Sequence, residues 1–295
     1  MAIVAAAEEG SLPWGEARRV GVSQPALTKT VRELEVELSA TLLVRTSKGV
    51  LPTAQGKVLY AHVVRVTREI NAATFQISQL GGKMTGALKI GAVRLAVLIL
   101  VPETLRTFGR EFPDIRLRVS EELYIARLQR LRSGEVDVAV GGIPDDLSTG
   151  QFVVEQLMTT SMAVVVRKGS PRAKASSLAQ PADAKLIYTS ASSDLGYAKL
   201  LFERNGLPPP PIGAIVNLTL ALLSPIANGG FVGLIPHQIA VLPLAAQFLA
   251  VVLIAEGGLP LSLGAIVRSD SGISPAIRHL IAHPHRAAHQ ATRMS

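Results

Sequence analysis

The chain has 295 residues, 48% of them apolar and only 4% aromatic, with a net charge of +8. That length suits about two domains with aliphatic cores, and the basic balance favours either a polyanionic partner or a plain solubilising surface. The lack of cysteine excludes disulfides, thiolate zinc sites and cysteine nucleophiles.

The N-terminus, "MAIVAAAEEG", has no basic leader and meets Glu8-Glu9 at once, which argues against a signal peptide. The longest apolar runs, 95–102 and 240–255, are too short for a membrane span or carry Pro243. A cytoplasmic protein is expected. Basic charge is concentrated near the front. Residues 17–32 hold Arg18, Arg19, Lys29 and Arg32 with no acid, and residues 38–68 hold Arg45, Lys48, Lys57, Arg65 and Arg68, again with no acid.

Between these windows the spacing predicts a helix-turn-helix: a helix over 17–20, a turn at Gly21, then a second helix. Ser23 is placed as its N-cap and Pro25 in its first turn. Leu27, Val31, Leu34 and Leu38 recur at helical spacing and predict a buried stripe. Gln24, Thr28 and Arg32 fall on another face, with Lys29 beside them. Amide, hydroxyl and guanidinium groups are those that hydrogen-bond base edges and phosphates. Residues 42–51 read as two short strands around Lys48-Gly49, a wing suited to the DNA backbone. An ordinary solvated face on a small helical bundle is the alternative.

The residues "EEGSL", "GVSQPALTKTVRELE" and "LLVRTSKGVLPTAQG" resemble the winged helix-turn-helix of the LysR-type transcriptional regulators, over residues 8–56. The resemblance implies DNA contacts from Ser23, Gln24, Pro25, Thr28, Lys29 and Arg32, with Arg45, Thr46 and Lys48 on flanking phosphates. It also implies a first helix over about 2–9. This sequence departs from the family pattern at Glu16-Ala17, where two alanines are usual, and in "LPWGE", one residue longer and carrying Pro13-Trp14. Leu43 replaces a usual Phe, Ser39 a usual Gly and Pro52 a usual Leu.

Residues 53–80 contain no proline and a single early glycine, Gly56. Leu59, Val63, Val66, Ile70, Ala73, Ile77 and Leu80 step by 4, 3, 4, 3, 4 and 3. That seam predicts a coiled-coil dimer helix, and "GGKMTG" ends it with a hinge. A dimer presenting two reading helices implies an inverted-repeat target.

Beyond residue 86, "ALKIGAV", "IRLRVSE" and "VDVAVGG" read as strands separated by helices over 96–110 and 125–133. A second series follows with "MAVVVRKGSP", "AKLIYTS", a helix near 196–205 and "IGAIVNL". "LSLGAIVRS" and a helix over 274–282 close it. This segment looks like the family's effector domain, two lobes of the periplasmic-binding-protein type. The fold class is therefore α/β: an N-terminal winged helix-turn-helix (1–56), a linker helix and hinge (57–86), and a two-lobed effector domain (87–290). Lobe one would take 87–160 and 265–290, and lobe two 161–264, with crossings near Thr160 and Leu263.

Ligands of such sheets sit at the carboxyl ends of strands. The candidates are Arg94, Leu95, Glu122, Tyr124, Gly141, Gly142, Ser190, Asn217 and Thr219. Arg94 suits an anionic ligand, although an outward surface arginine reads equally well. In relatives the residue matching Leu95 is often a hydroxyl-bearing effector contact, which Leu95 cannot be.

His279, His283, His285 and His289 cluster near the end, but Pro284 is expected to break the helix that would align them. No metal and no cofactor is expected. No P-loop, G-x-S-x-G or H-E-x-x-H motif occurs, so no catalytic residue is assigned. The resemblance implies an effector-responsive regulator with double-stranded DNA, a small-molecule effector and further copies of itself (homodimer or homotetramer) as partners. RNA polymerase is left open as a partner, and no membrane is expected. A two-lobed solute-binding protein and a small-metabolite enzyme acting in the cleft are the alternatives.

Overall fold

The computed structural model describes residues 24–46, 49–82, 84–144, 147, 150–180, 185–188, 197–208, 211–216, 219–269 and 273–293. The helices expected over 2–9 and 17–20, and the Pro13-Trp14 segment, lie outside the described residues. The chain divides into two units, 1–77 and 78–295.

In the first unit, helix α1 (Gln24–Glu37) is followed by strands β1 (Leu43–Thr46) and β2 (Gly49–Pro52) and by the long helix α2 (Ala54–Leu80), whose residues from Ser78 on belong to the second unit. The two strands form an antiparallel pair from Leu43↔Pro52 to Thr46↔Gly49. Val31 is buried and Leu34 half-buried, as the apolar stripe predicts. Leu38 departs from it: the helix has ended one residue earlier, and Leu38 is 45% exposed. Ser39 then takes a φ of 49°, the left-handed conformation that glycine adopts without a Cβ penalty.

In the second unit, β3 (Gly86–Ala92), α3 (Arg94–Ile99), α4 (Val101–Glu111), β4 (Ile115–Glu121), α5 (Tyr124–Arg132) and β5 (Val138–Gly142) come first. The single helix expected over 96–110 is two. Pro102 sits in the first turn of α4 and has no N–H to donate, so the α3 ladder cannot run on, and the chain restarts after Leu100. β3 pairs parallel with both β4 and β5. β7 (Leu186–Tyr188) likewise pairs parallel with β8 (Ile212–Ile215) and β9 (Val232–Pro236). Helices α6 (Tyr197–Arg204) and α7 (Thr219–Gly229) lie between these strands in sequence.

Two longer strands join the halves. β6 (Phe152–Arg167) and β11 (Leu259–Arg268) are antiparallel, paired from Leu259↔Met162 to Arg268↔Phe152, with a shift between Leu263 and Gly264. β11 also pairs with β5 and β6 with β9, which gives one sheet in the order β4-β3-β5-β11-β6-β9-β7-β8. β10 (Leu249–Val251) pairs with β6 off that path, after the short helices α8 (His237–Val241) and α9 (Pro243–Ala246). One buried cluster gathers Leu128, Leu131, Val136, Ala139 and Ile266. Another gathers Leu178, Leu186, Leu201, Phe202, Val232 and Leu234 around Met162, Val164 and Val166. The run 162–166 is buried on both faces, hence its unbroken apolar character.

The last helix, α10, spans Pro275–Arg293 rather than ending near 282, with Pro284 inside it. An interior proline forfeits one hydrogen bond and costs about 3 kcal/mol. Burial of Ala276, Leu280, Ile281, His283, Ala287 and Ala288 along the helix offsets that cost. Pro275 takes the first helical position after Ser274, whose Oγ accepts the Ile277 N–H (3.3 Å). The neighbouring Ala276 N–H donates to Oε1 of Gln79 (2.9 Å), an otherwise buried amide near the end of α2. Among the described residues no helix is long and apolar enough to cross a membrane.

The histidines of α10 go to separate packing partners. His279 lies against Phe112 and His283 edge-on against Phe108, while His285 Nε2 is 2.5 Å from Glu155. His283 is buried, with Thr107 Oγ1 at 2.6 Å from its Nδ1 and Arg286 Nη2 within 3.0 Å of both ring nitrogens. Burial, and then the Arg286 cation, hold its pKa below the ordinary value; Glu111 and Glu103 oppose this and His279 adds to it.

Two consequences can be measured. Replacing Ser39 with glycine relieves the left-handed strain and is expected to stabilise the first unit by about 1 kcal/mol, read from urea unfolding. For His283, the unfolded chain takes up the proton first as pH falls. Native stability should therefore drop as pH passes below about 6.5 and level off below the depressed folded pKa. His283→Gln should flatten that part of the wild-type pH profile.

Candidate nucleic-acid interface and effector cleft

On α1, Val31 and Leu34 face the interior while Pro25, Lys29 and Arg32 are exposed and Thr28 is half-buried. Thr28 and Arg32 are one helical turn apart, so they share a face, with Lys29 at its border. Lys29 Nζ is 3.8 Å from Glu33, an exposed pair of little energetic weight that leaves the lysine available to a phosphate. The first turn of α1 has no acidic residue. Gln24 opens the helix, although its side chain lies outside the described residues, as do Ser23 and Lys48 entirely. Arg45 and Thr46 are described as backbone only, in β1 opposite Val50 and Gly49. The fold thus places α1 and the β1–β2 pair in one small unit.

One contact there went unread in the sequence. Glu35 Oε1 accepts the N–H of Leu42 (2.7 Å) and of Leu43 (3.1 Å), tying α1 to the first residue of the wing.

On α2, the seam residues Leu59 and Val63 are half-buried and Ala73 exposed. Val66, Ile70, Ile77 and Leu80 are 59–79% exposed. A row of large aliphatic side chains facing water on one helix is what a second helix would cover.

In the second unit the strand ends of β3, β4 and β5 are stitched together. Glu122 N–H donates to Ala92 O and Val93 N–H to Val140 O, each at 2.9 Å. This brings Arg94, Glu122, Gly141 and Gly142 to one end of the sheet. Arg94 is no outward surface arginine: its side chain is 12% exposed, and Nε is 3.5 Å from Glu121 Oε1. Burial lowers its pKa and Glu121 opposes the shift, so the guanidinium remains a cation partly neutralised in place. Leu95 is buried in the core. Glu122 is committed elsewhere: it accepts from Ser120 Oγ (2.6 Å) and pairs with Arg130, which also holds Glu135 at 3.0 Å. The side chains of Tyr124 and Thr219, and all of Ser190 and Asn217, lie outside the described residues.

The residue missed here is Arg127. It is fully buried, and its Nη2–H donates to Gly142 O at 2.8 Å. Gly141 makes room for it: a Cβ at that position would collide with Arg127 Nη1 and lie 2.6 Å from the Val93 side chain. The signal was available in principle. Arg127 lies on the apolar side of α5, adjoining Leu128 and one turn before Leu131, both buried. A cation with its guanidinium behind a diglycine strand end adds positive potential at that end of the sheet.

Residues 1–57 match the family described as "Bacterial regulatory helix-turn-helix protein, lysR family", and residues 81–288 match the "LysR substrate binding domain". The chain is 28% identical over 193 residues to HTH-type transcriptional regulator GbpR of Azospirillum brasilense, across 64% of this chain and 56% of that one. It is 32% identical over 169 residues to Uncharacterized HTH-type transcriptional regulator YdcI of Escherichia coli K12, across 57% of this chain and 54% of that one. The chain spans about half the length of the curated relatives it matches. Its fold is similar to the crystal structure of full-length CbnR complexed with its target DNA, with a TM-score of 0.71, 20% identity and 97% of each chain covered.

Replacing Gly141 with alanine is expected to displace the Arg127 guanidinium and destabilise the second unit by about 1–3 kcal/mol. Thermal unfolding checks this, and an unchanged melting temperature would show that the arginine yields without cost.

Proposed function

Because the chain belongs to the LysR family, with the helix-turn-helix and substrate-binding regions both matched, we propose that it is a DNA-binding transcription regulator. Its promoter binding would be modulated by a small organic anion held in the C-terminal cleft. The observation that carries this reading is the exposed face of α1, where Lys29 and Arg32 flank Thr28 beside a two-stranded wing. In the DNA-bound state these cations displace condensed counterions from phosphates, and base edges meet Thr28 and Gln24. The exposed seam of α2 supports a homodimer, by itself or paired into a homotetramer, that reads an inverted repeat.

In the cleft, Arg94 and Arg127 at the ends of β3 and β5 favour an anionic effector. Arg94 is already balanced by Glu121, so an incoming carboxylate competes with that partner rather than meeting a bare charge. The effector acts only through its difference in affinity for two arrangements of the oligomer, about 1–3 kcal/mol in coupled systems of this kind. The cleft is on this reading a sensing site and not a catalytic one, and the protein works in the cytoplasm beside the chromosome.

The test is a mobility shift with the DNA adjoining the gene, across salt concentrations and with a panel of small organic acids. The wild-type shift should weaken steeply with salt, and Arg32→Ala should lower affinity by about tenfold or more. No shift, or one indifferent to salt, would end the DNA-reading proposal; no response to any acid would end the effector part.

A further inference from the structure

A carboxylate inside a phosphate-binding unit works against the unit's field, so a structural reason for Glu35 is required. Glu35 is half-buried. Its Oε1 accepts two successive backbone N–H groups, at Leu42 (2.7 Å) and Leu43 (3.1 Å). Bonds to an ionised acceptor are roughly twice as strong as neutral ones.

Leu42 is itself a junction. It is 1% exposed, and its carbonyl accepts the N–H of Thr53 (2.9 Å), whose hydroxyl donates to the adjoining Thr41 carbonyl (2.7 Å). Thr53 Oγ1 also accepts the Gly56 N–H in the first turn of α2 (3.0 Å). A Cβ on Gly56 would collide with the Leu42 carbonyl, so helix and loop touch backbone to backbone. One carboxylate oxygen therefore fixes the start of β1 relative to α1, while the same residue, Leu42, is clamped to the start of α2.

We propose that Glu35 is a positioning residue for DNA binding: it sets the wing against the reading helix so that both engage phosphates in one event. This rests on the DNA-reading proposal above. Without that acceptor the two N–H groups turn to water, the wing loses its fixed start, and ordering it falls on the binding step. Glutamine keeps an oxygen at the same place and should restore most of the effect, whereas alanine cannot.

The experiment is a double-mutant cycle on the full chain, using one duplex and fluorescence anisotropy across salt. Arg45→Ala is made in wild type, Glu35→Ala and Glu35→Gln. In wild type Arg45→Ala should cost several-fold in affinity, and in Glu35→Ala less than about twofold. Glu35→Ala alone should reduce the slope of log K against log salt by about 0.9 for each wing phosphate lost. Glu35→Gln should return the slope and the Arg45 effect most of the way. If Arg45→Ala costs the same factor in wild type and in Glu35→Ala, if it costs nothing in wild type, or if Glu35→Ala leaves the salt slope unchanged, the proposal is overturned. Should Glu35→Ala not fold, Glu35→Asp, whose carboxylate is one methylene short of the two N–H groups, takes its place in the cycle, with loss of the Arg45 effect expected and full additivity overturning the proposal. A wild-type chain that does not bind removes both proposals; one that binds with an additive cycle removes this one alone.

Discussion

Strands β6 and β11 run side by side through the larger unit, and each serves two cores. Met162, Val164 and Val166 of β6, with Leu259 of β11, belong to the cluster that includes Phe202 and Leu234. Ile266 of β11 belongs to the cluster around Leu131, with Phe152 of β6 packed on it. Two parallel half-sheets built by short βαβ crossovers would otherwise have no shared backbone ladder. The antiparallel pair supplies one. The pairing shifts between Leu263 and Gly264, where the chain passes from one cluster to the other. A close contact at Gly264, where a Cβ would lie 2.9 Å from the Glu155 carbonyl, keeps the two strands tight there. The strand ends that form the candidate effector site depend on this arrangement, because β5 is held between β3 and β11.

The smaller unit uses the same economy of contacts at a different scale. Among its described residues Val31 and Leu42 are buried. Directional bonds join the elements around them. Glu35, Leu42, Thr53 and Gly56 form a chain of backbone-directed contacts linking α1, the β1–β2 pair and α2. Such directional bonds help select one geometry even though each contributes only about 1 kcal/mol net.

Charge is handled differently in the two units. On α1 the cations Lys29 and Arg32 remain in water, where desolvation costs nothing and a phosphate can reach them. Around the sheet end, Arg94 and Arg127 are drawn inward and balanced by Glu121 or by a backbone carbonyl. The first pattern suits a large polyanion gripped by many weak contacts; the second suits a small ion recognised by a few oriented ones.

Much of this was legible in the residues. The period of 3.6 in α1, the heptad steps of α2 and the alternation of strand and helix beyond residue 86 are local signals, set by where apolar side chains must fall on a regular backbone. Ser39 stands where the family has glycine, and only the structure shows that the position is left-handed. Other features were decided only by packing. Pro284 reads as a helix breaker, yet α10 continues because a buried face stretches past it. Glu35 reads as one of three acids on a surface helix, yet its partner lies seven residues on across a turn. Gln79 reads as a polar seam neighbour, yet it caps a helix 197 residues away. Arg127 stands among apolar neighbours that hint at its burial, yet its acceptor, the Gly142 carbonyl, lies 15 residues on. The local sequence sets which backbone a segment can adopt. Which polar group meets which depends on distant segments being folded against each other, and no window of neighbouring residues contains that information.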